Sequence, residues 1–324
     1  MKKILILPFF GAFNNYFPFW LESARNNSTI DYLIISDVKC FFETPQNVTV
    51  IEKTFEQVRN EFEKKIGFSI NLNRPYKLCD FKPYYGFLFE EMISSYDFWG
   101  YCDCDLIFGD INKFLDDSVF ESNDKIMRRG HLSFIRNTHD INRSFQNFDT
   151  YKVVMKSPCI FGLDEAVFGF RDGFAGELLS QGYHFYENNE IVGDVDFRFF
   201  PFHSLSDPEK ICVFHYNNGS VDMLTKTDNG YFRKEIMYVH LQKRKMEIED
   251  GLDKNNYLIV PNRFISYDEK LLYSDSFWKE VKTEKDDYFD FKGEKISSIK
   301  RDLLRFLYEP SKLRSIKYRI TGKK

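Results

Sequence analysis

Short apolar runs alternate with amphipathic segments over the first hundred residues. The apolar runs predict strands over residues 2–8, 32–35, 47–51 and 96–102, and the amphipathic segments predict helices over 18–27, 54–65 and 83–92. Thr54 and Gln57 have the spacing of a capping box, and Pro83 suits the first turn of a helix. Strands that alternate with helices predict an α/β fold whose sheet is covered on both faces.

The pattern changes after about residue 125. The chain up to about residue 250 mixes short strands and helices without a repeat period, and residues 211–216 and 236–240 have the apolar character of strands. Near the C-terminus, apolar residues recur at helical spacing among basic ones: Ile296, Ile299, Leu303, Phe306 and Leu307. This spacing predicts a basic amphipathic helix that ends at Pro310.

The composition is that of a globular protein. The chain has 324 residues, of which 43% are hydrophobic and 18% aromatic, and this excludes disordered and collagen-like chains. Lys and Arg total 45 against 49 Asp and Glu, so the net charge of −4 argues against a nucleic-acid partner. Residues 295–324 hold ten basic and two acidic side chains, so this tail carries +8 and the rest of the chain −12. Such a tail is expected either to bind an anionic membrane surface or to pack on the acidic body.

Cysteine usage and apolar run lengths bear on the compartment. The six cysteines form no CxxC pair and are typical of reduced thiols in a cytosolic protein. The apolar run at the N-terminus is short and is interrupted by Pro8, so we expect a strand rather than a signal peptide. No stretch approaches the about 20 apolar residues of a membrane span. We therefore expect a cytoplasmic protein.

An acidic pair follows the fourth predicted strand. Asp103 and Asp105 lie where that strand ends, and ligands of open α/β sheets bind beyond the carboxyl ends of strands. Carboxylates one residue apart can share Mn²⁺ or Mg²⁺ that is bound with a diphosphate. The alternative is a loop whose acids cap the helix after Asp110. The other Asp-x-Asp pair, Asp194 and Asp196, is expected to lie in a solvated turn.

The chain has neither the GxGxxG nor the GxxxxGK[ST] signature of nucleotide-binding folds. If a nucleotide binds, something other than a glycine-rich cradle holds its phosphates. A nucleotidyltransferase or phosphohydrolase would need such a loop after the first strand, and residues 9–13 (Phe-Phe-Gly-Ala-Phe) do not supply it.

Four segments together resemble bacterial polysaccharide-locus (capsule and lipopolysaccharide) glycosyltransferases of the GT-A type: residues 75–86, 96–111, 129–132 and 238–246. The resemblance covers roughly residues 1–246. It implies a Rossmann-like GT-A domain with a mixed central sheet over residues 1–250, which binds a nucleotide sugar. A C-terminal helical extension over residues 251–324 would carry the basic amphipathic helix.

The resemblance also implies a metal site and a donor site. Its implied metal ligands are Asp103, Asp105 and His240, and its implied donor contacts are Gly11, Asn14, Asp80, Lys82, Asp103, Gln242 and Lys243. Imidazole suits Mn²⁺, and cations after His240 can neutralise a departing nucleoside diphosphate. Without the family, Asp80 and Lys82 would be a surface ion pair and His240 a solvated edge residue.

Asp164 and Glu165 follow another apolar stretch, in a region that faces the acceptor in GT-A enzymes. An inverting enzyme needs a general base there, and a retaining one needs a group that stabilises an oxocarbenium-like centre. Acids at the start of a helix are the alternative. Arg129 and His131 are expected to contact donor phosphate or acceptor.

The expected function is therefore that of a metal-dependent hexosyltransferase with Mn²⁺ or Mg²⁺. It would move a sugar from a nucleotide-diphosphate sugar, a UDP-sugar first of all, to a glycan or lipid-linked acceptor in surface polysaccharide synthesis. The basic tail would hold it at the inner face of the cell membrane. The alternatives are a non-catalytic carbohydrate-binding or scaffold protein with the same fold and a Mg²⁺-dependent nucleotidyltransferase.

Overall fold

A computed structural model describes residues 1–38, 42–164, 173–205, 207–242, 244–283 and 285. Its strands are β1 (Lys3–Pro8), β2 (Ile30–Ser36), β3 (Val48–Glu52), β4 (Phe98–Cys102), β5 (Leu106–Phe108), β6 (Lys125–Ile126), β7 (Leu132–Arg136), β8 (Phe185–Tyr186), β9 (Val192–Asp194), β10 (Phe202–Ser204), β11 (Asp207–Asn217), β12 (Ser220–Thr227), β13 (Gly230–Ile236), β14 (Tyr238–His240), β15 (Glu247–Ile248), β16 (Asn256–Val260) and β17 (Arg263–Ser266).

The helices are mostly short. The α-helices are α1 (Phe17–Arg25), α2 (Phe55–Ile66), α3 (Tyr85–Leu88), α4 (Glu90–Ile93), α5 (Ile111–Phe114), α6 (Asp117–Ser122), α7 (His139–Arg143), α8 (Thr150–Lys156), α9 (Gly173–Ser180), α10 (Glu269–Tyr273) and α11 (Asp275–Val281). Three 3₁₀-helices cover Pro75–Tyr84, Ser144–Asn147 and Asn189–Ile191.

A seven-stranded central sheet has the order β3-β2-β1-β4-β7-β6-β8. The strands β3, β2, β1 and β4 are parallel, whereas β7 is antiparallel to β4 and β6 is antiparallel to β7. The predicted α/β fold with a mixed central sheet is thereby confirmed. The four strands predicted in the first hundred residues all lie in this sheet.

Alternate residues of the central strands enter two separate cores. Ile4 and Ile6 of β1 pack with α2 and the 3₁₀-helix Pro75–Tyr84 on one face, and Leu5 and Leu7 pack with α1 on the other. The predicted capping box is confirmed at the start of α2, where the Thr54 hydroxyl accepts from the Gln57 N–H and the Gln57 side chain accepts from the Thr54 N–H.

Two further sheets complete the described chain. The larger has the order β13-β12-β11-β16-β17-β15, with β10 paired to β11, and the smaller has the order β5-β14-β9. Helices α10 and α11 pack on one face of the larger sheet through Leu272 and Trp278. The predicted division of the chain at residue 250 stays a prediction, although β16 pairs with β11 across that position.

Two local predictions were wrong. Pro83 lies near the end of a 3₁₀-helix instead of opening an α-helix, and the chain then continues as the two short helices α3 and α4. Residues 236–240 form two strands, because β13 ends at Ile236 and β14 begins at Tyr238.

The predicted basic amphipathic helix and the whole basic tail, residues 295–324, lie outside the described residues. Among the described helices, none has the length and apolar content that crossing a membrane requires.

Candidate functional site

The acidic turn between β4 and β5 is fixed through its main chain. Its three carbonyl oxygens accept hydrogen bonds from distant residues: Trp20 Nε1 donates to Asp103 at 3.0 Å, Asn14 Nδ2 to Cys104 at 3.1 Å and the Leu241 N–H to Asp105 at 3.0 Å. These contacts hold the backbone in place and leave both aspartate side chains available to the site. The predicted donor contact Asn14 therefore also supports the turn.

The small sheet brings a histidine beside this turn. In the register of the sheet, His240 on β14 lies opposite Leu106 on one side and Asp194 on the other. Since Leu106 directly follows Asp105, His240 Nε2 comes to 3.5 Å from Asp105 Oδ1. One ligand atom from each of Asp103, Asp105 and His240 lies within 4.8 Å of the others. The structure thus assembles the three residues that were predicted as metal ligands.

The donor atoms of this cluster fit a divalent cation. Asp105 Oδ1 is buried and accepts no hydrogen bond from any described residue; its charged neighbour is the His240 ring, 3.5 Å away, so the oxygen keeps a lone pair that can bind a cation. Burial raises the pKa of Asp105 to about 6, with His240 opposing and Asp103 adding to the shift. Two carboxylates and an imidazole are a donor set that Mn²⁺ or Mg²⁺ accepts.

The protonation of His240 depends on the same acids. Burial lowers its pKa, but Asp105 and Asp194 outweigh burial and raise the pKa to about 9. His131 stacks on the His240 ring with 4.1 Å between ring centroids, and burial together with His240 lowers the pKa of His131. In the absence of a metal ion the cluster therefore holds a proton that a cation would displace.

A lysine links the acidic turn to the predicted acceptor side. Lys82 Nζ lies 2.7 Å from Asp103 Oδ1 and 3.4 Å from Asp164 Oδ2. Burial raises the pKa of Asp103, but Lys82, with smaller contributions from His240 and His131, keeps that pKa below its usual value. Lys82 therefore bridges the carboxylates of Asp103 and Asp164.

Asp80, in contrast, lies in the core. Its carboxylate is fully buried, pairs with Lys77 Nζ at 2.6 Å, and accepts the backbone N–H groups of Phe161, Gly162 and Leu163. This loop leads directly to Asp164. The partners that the structure gives Asp80 are protein groups, and the predicted contact with a nucleoside stays a prediction.

Of the remaining predicted site residues, the structure describes Gly11 and Gln242 but not Glu165 and Lys243. Gly11 has a φ of 105° and donates its N–H to Asp37 Oδ1 at 3.1 Å, and Gln242 Nε2 donates to Asp194 Oδ1 at 2.9 Å. Glu165 and Lys243 lie outside the described residues.

Sequence reasoning missed one member of the site. Asp194 was expected in a solvated turn, but it ends β9 and is 5% exposed, beside His240 and 3.6 Å from both Arg129 Nη1 and His131 Nε2. The imidazoles of His131 and His240 outweigh the effect of burial and hold the pKa of Asp194 well below its usual range. The apolar residues that precede Asp194 signalled a strand end, as they did for Asp103.

The fold and site define an α/β protein with a candidate divalent-cation site beyond a central strand. The chain belongs to a family described as a family of unknown function, DUF6625, whose model matches residues 5–268. This match includes every described residue of the site.

Solved structures with some likeness to the chain include two of the galactosyltransferase LgtC. The structure of LgtC in complex with donor and acceptor sugar analogues is 13% identical with a TM-score of 0.32, and that of an active-site mutant of LgtC is 14% identical with a TM-score of 0.30. Both matches cover 59% of this chain and 75% of the other. Because both scores are low, nothing about the activity of this chain follows from them. No curated protein matches the sequence.

Proposed function

We propose that this protein is a metal-dependent glycosyltransferase of the GT-A type. It transfers a sugar from a nucleotide-diphosphate sugar, with a UDP-sugar as the first candidate, to a glycan or lipid-linked acceptor in bacterial surface polysaccharide synthesis. The observation that carries the proposal is the cluster of Asp103, Asp105 and His240, in which Asp105 Oδ1 is buried and has no hydrogen bond from a described residue. The similarity of residues 75–86 and 96–111 to that class of enzymes adds the donor chemistry.

Asp103, Asp105 and His240 would hold Mn²⁺ or Mg²⁺, whose positive charge would stabilise the departing nucleoside diphosphate. Lys82 keeps Asp103 ionised and adds a second positive charge beside the diphosphate. Gln242 and Lys243 follow His240 in sequence and are proposed donor contacts, as are Gly11 and Asn14 in the segment after β1.

The transfer itself breaks the bond between the anomeric carbon and the phosphate oxygen and forms one to an acceptor hydroxyl. Asp164 is the proposed group beside the reacting centre, because Lys82 joins its carboxylate to Asp103. In an inverting reaction Asp164 or Glu165 would take the acceptor proton, and in a retaining one it would stabilise the positive anomeric centre.

Residues 295–324, with their +8 charge, are proposed to bring the enzyme to an anionic membrane surface where a lipid-linked acceptor lies. Pelleting with anionic liposomes tests this part, and a deletion of residues 295–324 that pelleted as well as the full chain would contradict it.

A donor-hydrolysis assay tests the proposed activity. The protein is incubated with Mn²⁺ and a panel of UDP- and GDP-sugars, and the released nucleoside diphosphate is measured. We expect turnover of at least one donor, its loss on chelation, and a fall of about 100-fold or more in Asp105→Ala, because the charge stabilisation of the leaving group is lost.

Asp222→Ala is the matched control, since Asp222 lies on β12 and pairs with Arg233 at 3.1 Å. Turnover that survives Asp105→Ala would remove Asp105 as a metal ligand. Tight binding of UDP-sugars without turnover would instead favour the non-catalytic carbohydrate-binding alternative.

A further inference from the structure

A buried carboxylate stands behind the proposed metal-ligand histidine. His240 Nδ1 donates a hydrogen bond to Asp194 Oδ1 at 2.8 Å, and Gln242 Nε2 donates to the same oxygen at 2.9 Å. On the other edge of the imidazole, His240 Nε2 lies 3.5 Å from Asp105 Oδ1. The ring is therefore held between two acids, one on each nitrogen.

The strand register explains this arrangement. β9 is parallel to β14 and pairs Asp194 with His240, while β5 is antiparallel to β14 and pairs His240 with Leu106. The acid, the imidazole and the acidic turn thus form one row across three strands.

Asp194 also has partners on its second oxygen. Arg129 Nη1 and His131 Nε2 each lie 3.6 Å from Asp194 Oδ2, and the His131 ring stacks on that of His240. The stacked His131 ring restricts rotation of the His240 ring, and Arg129 pairs with the second oxygen of the carboxylate. Asp194 is 5% exposed, so water competes little for its oxygens.

We infer that Asp194 is a positioning residue for the metal ion. It holds the proton of His240 on Nδ1 and fixes the plane of the ring, so that the Nε2 lone pair points at the ion between Asp103 and Asp105. This inference rests on the proposed function, because it assumes that the cluster binds a divalent cation. Carboxylates that accept from the second nitrogen of a ligating histidine raise metal affinity by fixing the tautomer and the ring orientation.

The alternative is that Asp194 is itself a metal ligand, and this alternative predicts a second bound ion. His131, Asp194 and His240 also offer one ligand atom each within 4.8 Å of the others, so Asp194 could ligate a second ion directly. The guanidinium of Arg129 beside Oδ2 and the hydrogen bond on Oδ1 argue against a second cation there.

Mn²⁺ affinity and stoichiometry, measured on the full chain by electron paramagnetic resonance, test the inference without any sugar donor. We expect one ion per chain and a loss of affinity of about 10- to 100-fold in Asp194→Ala. Asp194→Asn should recover part of that loss, since its amide oxygen still accepts from His240 Nδ1. Asp222→Ala is the remote control, and circular dichroism confirms that each variant is folded.

The outcomes distinguish a failure of the positioning role of Asp194 from a failure of the proposed function. Affinity in Asp194→Ala equal to that of the wild type, together with loss of binding in Asp105→Ala, would overturn this inference alone. Two ions per chain, one of them lost in His131→Ala, would overturn it as well, because Asp194 would then be a ligand. A wild-type chain that binds no Mn²⁺ would overturn the proposed function and the inference with it.

Discussion

The 3₁₀-helix Pro75–Tyr84 supplies the lysines of two lysine–aspartate ion pairs, one closed within the core and one at the acidic turn. Lys77 and Asp80 are both fully buried and lie 2.6 Å apart, whereas Lys82 is 11% and its partner Asp103 34% exposed, at 2.7 Å. In sequence the two lysines and Asp80 lie within the single short segment 77–82, and nothing local separates a buried pair from an exposed one. The surroundings, rather than the residue types, separate the two pairs.

The carboxylates of Asp80 and Asp103 differ in how many hydrogen bonds they accept from the protein. Asp80 accepts from Lys77 and from three successive backbone N–H groups, so its bonding capacity is used within the fold. Asp103 is bound by Lys82 on one side and faces Asp105 and His240 on the other. Asp80 is therefore a structural element, and Asp103, partly exposed beside a second acid, is a candidate ligand.

The largest expected effect is a loss of stability when the Asp80 carboxylate is removed. Asp80→Ala leaves the Lys77 ammonium buried without its carboxylate and three N–H groups without their acceptor, so we expect a loss of about 3–5 kcal/mol in the free energy of unfolding. Urea denaturation measures it. Asp149→Ala is the matched control, because Asp149 forms the same i,i+3 pair with Lys152 at the surface, and no change is expected there. Equal stability of the two variants would contradict the structural role of Asp80.

Asp103 of the partly exposed pair belongs to the cluster with Asp105 and His240, and the Mn²⁺ affinity of that cluster should depend on pH. Because the pKa of His240 is raised to about 9 and that of Asp105 only to about 6, His240 holds the one proton that Mn²⁺ must displace between these two pH values. The affinity for Mn²⁺ should therefore fall as the pH is lowered, by about tenfold per unit between about pH 8.5 and pH 6. Isothermal titration calorimetry at several pH values measures this slope. An affinity that is flat over this range would contradict the protonated state of His240.

The smallest effect is expected for Lys82. Its ammonium binds the Asp103 carboxylate and repels a cation there, so Lys82→Met should strengthen Mn²⁺ binding several-fold while donor turnover falls. Lys82→Arg keeps the charge and serves as the control. Weaker Mn²⁺ binding in Lys82→Met would show that Lys82 supports the ion through Asp103 rather than competing with it.

Local patterns were sufficient to predict four strands of the central sheet and the start of α2. The apolar runs of β1 to β4 and the capping box of α2 depend on near neighbours in sequence, and the structure confirms both. The strand-end position of Asp103 and Asp105 is equally local. These features could be predicted because alternation and capping are set by residues within a few positions of one another.

The surroundings of Asp80 and Asp194 could not be predicted in this way. Asp194 is buried because β14, which is 46 residues away at His240, pairs with its strand. Asp80 points into the core because a loop some 81 residues later supplies its donors. No local pattern encodes such contacts, and only the assembled sheet brings these groups together.

The position of a bound ion tests the central claim most directly. Crystals grown with Mn²⁺ and UDP, and measured near the manganese absorption edge, would show an anomalous peak wherever the ion lies. The proposed site predicts one peak within coordination distance of Asp105 and of His240 Nε2, with the UDP phosphates beside it. A peak elsewhere, or UDP bound with no peak between Asp105 and His240, would contradict it.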